Sequence, residues 1–413
     1  MTIDLPGAGA TTSTVDAPDF PMTRICPFDP PEEYVELRAK EPVSLVRVPD
    51  GQLAWLITRY ADVRRLLVDP RISSNRHHPN MPLTESVTPQ TRRNIAAVGR
   101  SLIGLDQPEH GPQRRMLIRE FTLRRAQEMR PHIQHTVDRC VDEMLAGPKP
   151  ADIVTALSLP VPSTAICTLL GMPYADRELI ERSANAQLRR NVSAQERQDT
   201  SSELRDYVNR LVSAKEAEPT DDLLGRLILQ NRETPLFDHD MLVGLAMLLL
   251  VAGFETTASM ISLGVAGLLA NPDQLAEVTA DPSAMGLAVE ELLRYFSVVD
   301  ALPRVATADI EVGGVTIAAG EGLLLSFASA NWDETIFPDP GMLNVRRGAR
   351  NHMAFGYGIH QCIGQNLARA ELEIVFRTLF TRIPGLRLAV DVDELPFKRD
   401  SNIYGVDRVP VTW

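Results

Sequence analysis

Four short stretches of the chain carry residue types at spacings that could do chemistry. The most concentrated runs from Phe355 to Gly364 and reads FGYGIHQCIG. Gly356 and Gly358 are spaced for a tight turn, because glycine accepts a positive φ without steric cost. Cys362 stands just ahead of a helical stretch, NLARAELEIVF. The unpaired N–H groups and positive dipole end at a helix start favour an anion there. The spacing therefore predicts a thiol whose pKa falls below its free value of about 8.5. A thiolate held in this way is a metal ligand or a nucleophile.

The second stretch is Ala252-Gly253-Phe254-Glu255-Thr256-Thr257, at the middle of a long apolar run. Ala252 and Thr256 are four apart and share a helix face, small enough for a flat group to lie against the backbone. Thr256 can bond back to the carbonyl four residues earlier, or give its hydroxyl to a dry pocket. Glu255 is a lone carboxylate in apolar surroundings, so it must be paired, protonated or functional. The third is Glu291-Leu292-Leu293-Arg294, an i,i+3 ion pair of a kind common on surfaces. The fourth is PEHGPQRR, with His110 and Arg114 on one helix face, suited to an anionic group or else to solvent. Arg115, Arg119, Arg124, Arg125 and Arg130 extend it into a basic face that could dock an acidic partner. His132 and His135 have no evident third ligand and read as a surface pair.

The elements that must position these residues are mostly helices. Periodicity predicts them at about 108–121, 124–145, 160–170, 174–190, 194–216, 220–230, 238–270, 272–279 and 283–296. VSLVRV and LAWLIT around Pro49-Asp50-Gly51 predict a hairpin, and ATADIEVGGVTIAAGEGLLLSF a small antiparallel sheet. At 1.5 Å per residue, 238–270 would span roughly 50 Å. Against a radius of gyration of about 22 Å, such a helix crosses the whole molecule. Its midpoint, where Glu255 and Thr256 stand, is then near the centre.

Bulk properties exclude several classes. The 413 residues carry a net charge of -12, which argues against nucleic acid as the main partner. The four cysteines, Cys26, Cys140, Cys167 and Cys362, show no C-x-x-C spacing, against a zinc ribbon or iron–sulfur cluster. The Ala/Thr/Pro/Gly-rich start lacks the basic and apolar regions of a signal peptide, so a cytoplasmic protein with reduced thiols is expected. Met241–Ala270 is long enough to span a membrane, but acidic flanks without Lys or Arg favour a buried central helix. Residues 1–22 read as a mobile arm and 71–105 as a long loop; the organisation expected is that arm followed by one domain, 23–413.

In this order along the chain, the motifs resemble those of the cytochrome P-450 superfamily of haem-thiolate monooxygenases, over nearly the whole length. NHMAFGYGIHQCIGQNLARAELE and LLVAGFETTASMISLG are similar to the actinobacterial members that act on secondary metabolites and xenobiotics. The resemblance implies a mainly α fold with a minor antiparallel β portion, and haem b between the long central helix and the Cys-loop helix. It implies Cys362 as axial iron ligand, with His110, Arg114, Arg304 (in LPRVAT) and His360 holding the propionates. Phe355 would pack beside the sulfur, and Ala252 and Gly364 would face the porphyrin. Glu255 and Thr256 would deliver protons, and Glu291 with Arg294 would be a structural pair completed by Arg347. The family commonly has an aspartate near Asn344.

The activity implied is insertion of one oxygen atom of O2 into a sizeable hydrophobic substrate such as a polyketide, terpenoid, steroid or xenobiotic. Electrons would come from NAD(P)H through a ferredoxin reductase and a ferredoxin, to a monomer off the membrane. Peroxide-driven oxidation or oxidative C–C coupling on the same fold is the alternative, and a non-catalytic haem protein a further one. Candidate substrate contacts are Leu248, Ala252, Val299, Ala301 and Ile403. Arg71, Arg76, His77, His78 and Arg92 in the first loop are surface charges or hosts for a carboxylate.

Overall fold

The computed structural model describes residues 17–83, 102–189 and 191–413. Helices dominate, and the longest is His239–Ala270. It starts where the Asp238 carboxylate accepts the Met241 N–H at 2.7 Å and stops at Asn271, ahead of Pro272. An 18-residue window with mean hydropathy 1.9 would suit a membrane span, but 67% of it is buried inside the protein. It is a core helix.

Two hydrophobic clusters meet along it. Leu242 to Phe254 pack with residues of helices Pro160–Leu170 and Ala194–Ala217. Met260 to Leu268 pack with those of Met285–Phe296 and Gln365–Arg382. The second contact is close: a Cβ on Gly264 would overlap the Phe376 ring. Residues 255–259 fall between the two clusters, which leaves room beside the helix midpoint.

The strands are β1 (Val43–Arg47), β2 (Leu53–Ile57), β3 (Ile72–Ser73), β4 (Ala151–Asp152) and β5 (Ala301–Ala306). They continue as β6 (Ile310–Val312), β7 (Val315–Ile317), β8 (Gly322–Ser326), β9 (Arg387–Leu388) and β10 (Pro410–Thr412). Among the described residues they form three sheets, ordered β1-β2-β8-β5-β3, β4-β10-β9 and β6-β7. The β1–β2 hairpin turns through Gly51 at φ 86°. Among the described strands every ladder is antiparallel except β2–β8, which is parallel. That pairing departs from the expected pattern, because hairpin signals are local and say nothing about strands from distant parts of the chain.

Several boundaries move. The expected helix 108–121 is His110–Leu117 followed by a 3₁₀ turn, Ile118–Phe121, and 174–190 shortens to Arg177–Leu188 after a turn at Tyr174–Asp176. The helix expected at 220–230 is Leu223–Glu233, because Asp222 caps it by accepting the Gly225 N–H at 2.9 Å. The end of the expected mobile arm is packed: Phe20 is 3% exposed, and its N–H donates to Arg47 O at 2.8 Å. The free edge of β1 captures it. Residues 1–16 of that arm, and 84–101 of the long loop with Arg92, lie outside the described residues.

Candidate active site

The cysteine loop is closed by its own backbone. Gly356 N–H donates to Met353 O at 2.7 Å, and Cys362 N–H to Phe355 O at 2.8 Å. Gly358, at φ 76°, has no room for a side chain, since a Cβ would lie 2.6 Å from Leu67 O. Cys362 follows a 3₁₀ turn, Gly358–His360, and precedes Gln365–Arg382. Burial raises its thiol above the ordinary value, opposed by the backbone N–H groups of Gly364 and Gln365 and by Arg114 and Arg369. The expected lowering is thus overturned: desolvation of the anion outweighs the helix start. A cation bound at the sulfur would restore the balance.

Beside the loop lies a desolvated basic cluster. The His110 and His360 rings are 4.3 Å apart. Both nitrogens of His110 and Nε2 of His360 are buried without a hydrogen-bond partner. Burial, then Arg304, His110, Arg114 and Arg76, drives His360 down to about 3. Burial and Arg76 take Arg304 down to about 9, and burial and Arg114 lower His110. Arg114 donates to Gln361 O at 2.5 Å, and Arg304 to Pro303 O at 2.8 Å. Such a cluster, with imidazoles left open, suits a group that brings carboxylates of its own.

A cavity of about 300 Å3 joins this cluster to the long helix. Cys362, Gly364, Phe355, His360, Arg114, Arg304, Ala252 and Thr256 all line it. His110 stands behind, against His360. Nothing lies within 4 Å of where a Gly364 Cβ would be, so that backbone leaves its side of the cavity open. The Arg369 guanidinium sits 4.5 Å over the Phe355 ring. A larger cavity of about 680 Å3 adjoins the first, sharing Leu248, Ala252, Thr256 and Val299; Ala301 and Ile403 line it further out. All five expected substrate contacts meet in this outer space. Of the first-loop charges described, only Arg76 lines the cavities; Arg71 is bound to Asp69 at 2.7 Å.

The acid and the alcohol part company. The Thr256 hydroxyl donates to Ala252 O at 2.8 Å, the back-bonded state. Glu255 lines neither cavity and is 5% exposed; its Oε1 accepts from Lys398 Nζ at 2.5 Å. Lys398 is missed by sequence reasoning, since nothing near LPFKRD ties it to a residue 143 positions earlier. Glu371 is also missed. It lines the inner cavity, its Oε2 has no partner, and burial alone lifts its carboxyl to about 8. A signal existed: Leu367, Glu371 and Val375 share one helix face at i,i+4, so the carboxyl is set in an apolar stripe.

Glu291 and Arg294 form a fully buried fork, 2.8 Å at both contacts. Arg347 joins at 3.0 Å, and the Asn344 N–H donates to Glu291 at 3.0 Å, so the position usually held by an aspartate takes part through its backbone. Next to it, burial pushes Glu290 up but is outweighed by His352 and Arg369, which hold it at about 2. Among the described residues, no cluster of three or more His, Cys, Asp or Glu side chains could hold a free metal ion. His132 pairs instead with Thr168 at 2.9 Å.

Comparison with known proteins gives a consistent result. The family model described as Cytochrome P450 matches residues 285–383. The chain is 49% identical over 402 residues to the pentalenic acid synthase of Streptomyces avermitilis, covering 97% of this chain and 99% of that one. It is 46% identical over 405 residues to the vitamin D3 dihydroxylase of Streptomyces griseolus, 98% of each. Its structure matches that of cytochrome P450 MoxA from Nonomuraea recticatena with a TM-score of 0.88 at 49% identity, covering 96% of this chain and 98% of the other.

Proposed function

The chain belongs to the cytochrome P450 family of haem-binding monooxygenases, and from that premise we propose that it oxygenates a sizeable hydrophobic substrate in the outer cavity. The 680 Å3 space, walled mainly by apolar side chains and open to Thr256, is the observation that carries this reading. It suits a polyketide, terpenoid, steroid or xenobiotic. The relatives named for pentalenic acid and vitamin D3 support that size class.

Members of the family bind haem b, and the residues here fit it. Cys362 would supply the iron ligand, and His360, Arg114 and Arg304, with His110 behind them, would answer the propionates. Phe355, whose carbonyl accepts from the Cys362 N–H, would pack beside the sulfur, and Ala252 and Gly364 would leave room for the flat group. When bound, the haem supplies the iron centre at which O2 is reduced for C–H oxygenation.

The remaining steps belong to the chain. Outer-cavity side chains displace water and hold the substrate against Thr256. The Thr256 hydroxyl turns from Ala252 O toward the cavity and donates a proton there. Glu255 resupplies it once its carboxylate, released from Lys398, has taken a proton from solvent; until then the lysine keeps it out of the cavity. Glu291, Arg294 and Arg347 hold the segment behind the cysteine loop.

Electrons arrive from NAD(P)H through a ferredoxin and its reductase. Arg115, Arg119 and Arg124 are exposed around two bare apolar side chains, Ile118 at 47% and Leu123 at 63%. Exposed apolar and basic side chains on one short segment, with Arg124 also bonded to Glu128, suit an acidic protein partner. The protein acts as a cytoplasmic monomer, with 23–413 as one unit. The carbon monoxide complex of the reduced protein tests the reading. Wild type should show the thiolate-type Soret shift, and Cys362→Ala should lose it; retention of the shift in the variant overturns the ligand assignment.

A further inference from the structure

Outside the residues that serve the haem, the outer cavity holds a second basic feature. Arg24 forms part of its wall and is only 7% exposed. The guanidinium carbon sits 4.0 Å over the centre of the Tyr404 ring. That ring is fixed in turn, because Tyr404 OH donates to Pro27 O at 2.6 Å. Nη1 makes one long bond, 3.3 Å, to Asp29 O, and Nη2 has no hydrogen-bond partner. Among the described residues no carboxylate lies within ion-pair distance of it. A guanidinium taken out of water without a counter-ion is costly, and here ring stacking and one long bond to a backbone carbonyl hold it in place.

The rest of the wall has the same sign. Among the described lining residues, three are cationic, Arg24, Arg76 and Arg399, and one is anionic, Asp300. The Asp300 carboxylate is already engaged, accepting from Tyr34 OH at 3.0 and 2.9 Å and from Ser326 Oγ at 3.3 Å. Arg76 and Arg399 have partners within the chain, so they contribute field rather than open donors. We propose that Arg24 receives a carboxylate carried by the substrate, so that this enzyme takes an apolar skeleton with an acid group at one end. The inference rests on the monooxygenase reading above and narrows its substrate class.

Orientation follows from the cavity walls. Arg24 and Arg399 line the outer cavity alone, whereas Ala252 and Thr256 line both. The acid therefore sits at the outer end, and oxidation falls on the part of the skeleton remote from it.

The test is optical titration of the haem-loaded protein with dodecanoic acid, methyl dodecanoate and dodecan-1-ol. A charge-assisted bond predicts that the wild type binds the acid about tenfold or more tighter than the ester or alcohol. Arg24→Met should abolish that preference and leave the ester unchanged, while Arg24→Lys, which keeps the charge, should restore part of it. Equal wild-type affinities, no measurable binding of the acid, or an equal loss of acid and ester in Arg24→Met would overturn the proposal. The wild-type series decides even if a variant does not fold. The reduced carbon monoxide spectrum of the same samples separates the two readings: a thiolate-type spectrum without acid preference sinks only the role of Arg24.

Discussion

On the Cys362 side of the inner cavity, consecutive residues from Met353 to Gly364 supply the loop, the sulfur and the hydrogen bonds that close it. On the facing side, Thr256 and Val299 arrive from separate segments, with Ile403 in the outer cavity and Lys398 bonded to Glu255 from a third. Each side also keeps a buried ion pair. Glu291 and Arg294 are three residues apart with side chains 0% exposed; Glu255 and Lys398 are 143 apart, with side chains 7% and 10% exposed. The difference teaches where rigidity is placed. The ligand side is locked by short-range geometry and a redundant fork, whereas the substrate side hangs on single long-range contacts that can be exchanged.

Removing the fork should give the largest effect. Glu291→Ala strands Arg294 and Arg347 together, and breaking a fully buried pair costs roughly 3–5 kcal/mol. Denaturant midpoints of the loaded protein should fall accordingly; a loss below about 1 kcal/mol would erase the contrast between the two sides. Glu371→Gln should act in the other direction. Its carboxyl titrates at about 8 in the folded chain against an ordinary 4.5, so the folded state keeps a proton the unfolded chain has released. Its stabilising contribution is complete below about 4.5 and falls away as pH rises toward 8. The variant should therefore gain on wild type by up to about 1.4 kcal/mol per pH unit across that window. Unfolding curves at pH 5.5 and 7.5 check the slope, and parallel curves would mean the carboxyl finds a partner.

Lys398→Met should cost less than the fork, about 1–2 kcal/mol, because it removes one contact between side chains that keep some exposure, not a fully buried fork. It should also change how product yield per NADPH depends on pH, which a purely structural lysine would not do. Thr256→Ala should leave stability within about 0.5 kcal/mol. NADPH should still be consumed, with peroxide released in place of product; unchanged coupling would remove Thr256 from proton delivery.

Legibility follows the same division. Gly356, Gly358 and Cys362 can be read because their roles depend on neighbours in the chain, and so can the Glu291–Arg294 register. The long helix announces itself through an apolar run with a single charge. The β2–β8 pairing, the Lys398–Glu255 contact and Arg24 beneath Tyr404 cannot be read, since each joins remote segments without a local mark. Even the direction of the Cys362 thiol shift comes out reversed, because a helix start is visible in sequence and the depth of burial is not.

The sequence by itself determined which chemistry the chain could host: a cysteine between a glycine turn and a helix start, an acid and alcohol at mid-helix, and a His110–Arg114 pair on one helix face that suits an anionic group. Those depend on backbone periodicity and turn sterics, which act over a few residues. Only the tertiary structure decided which groups are desolvated together, because burial and charge pairing are set by elements packed from across the chain. That is why the Cys362 thiol rises, Glu255 is held back from the cavity, and Arg24 stands without a carboxylate partner in the wall of the outer cavity.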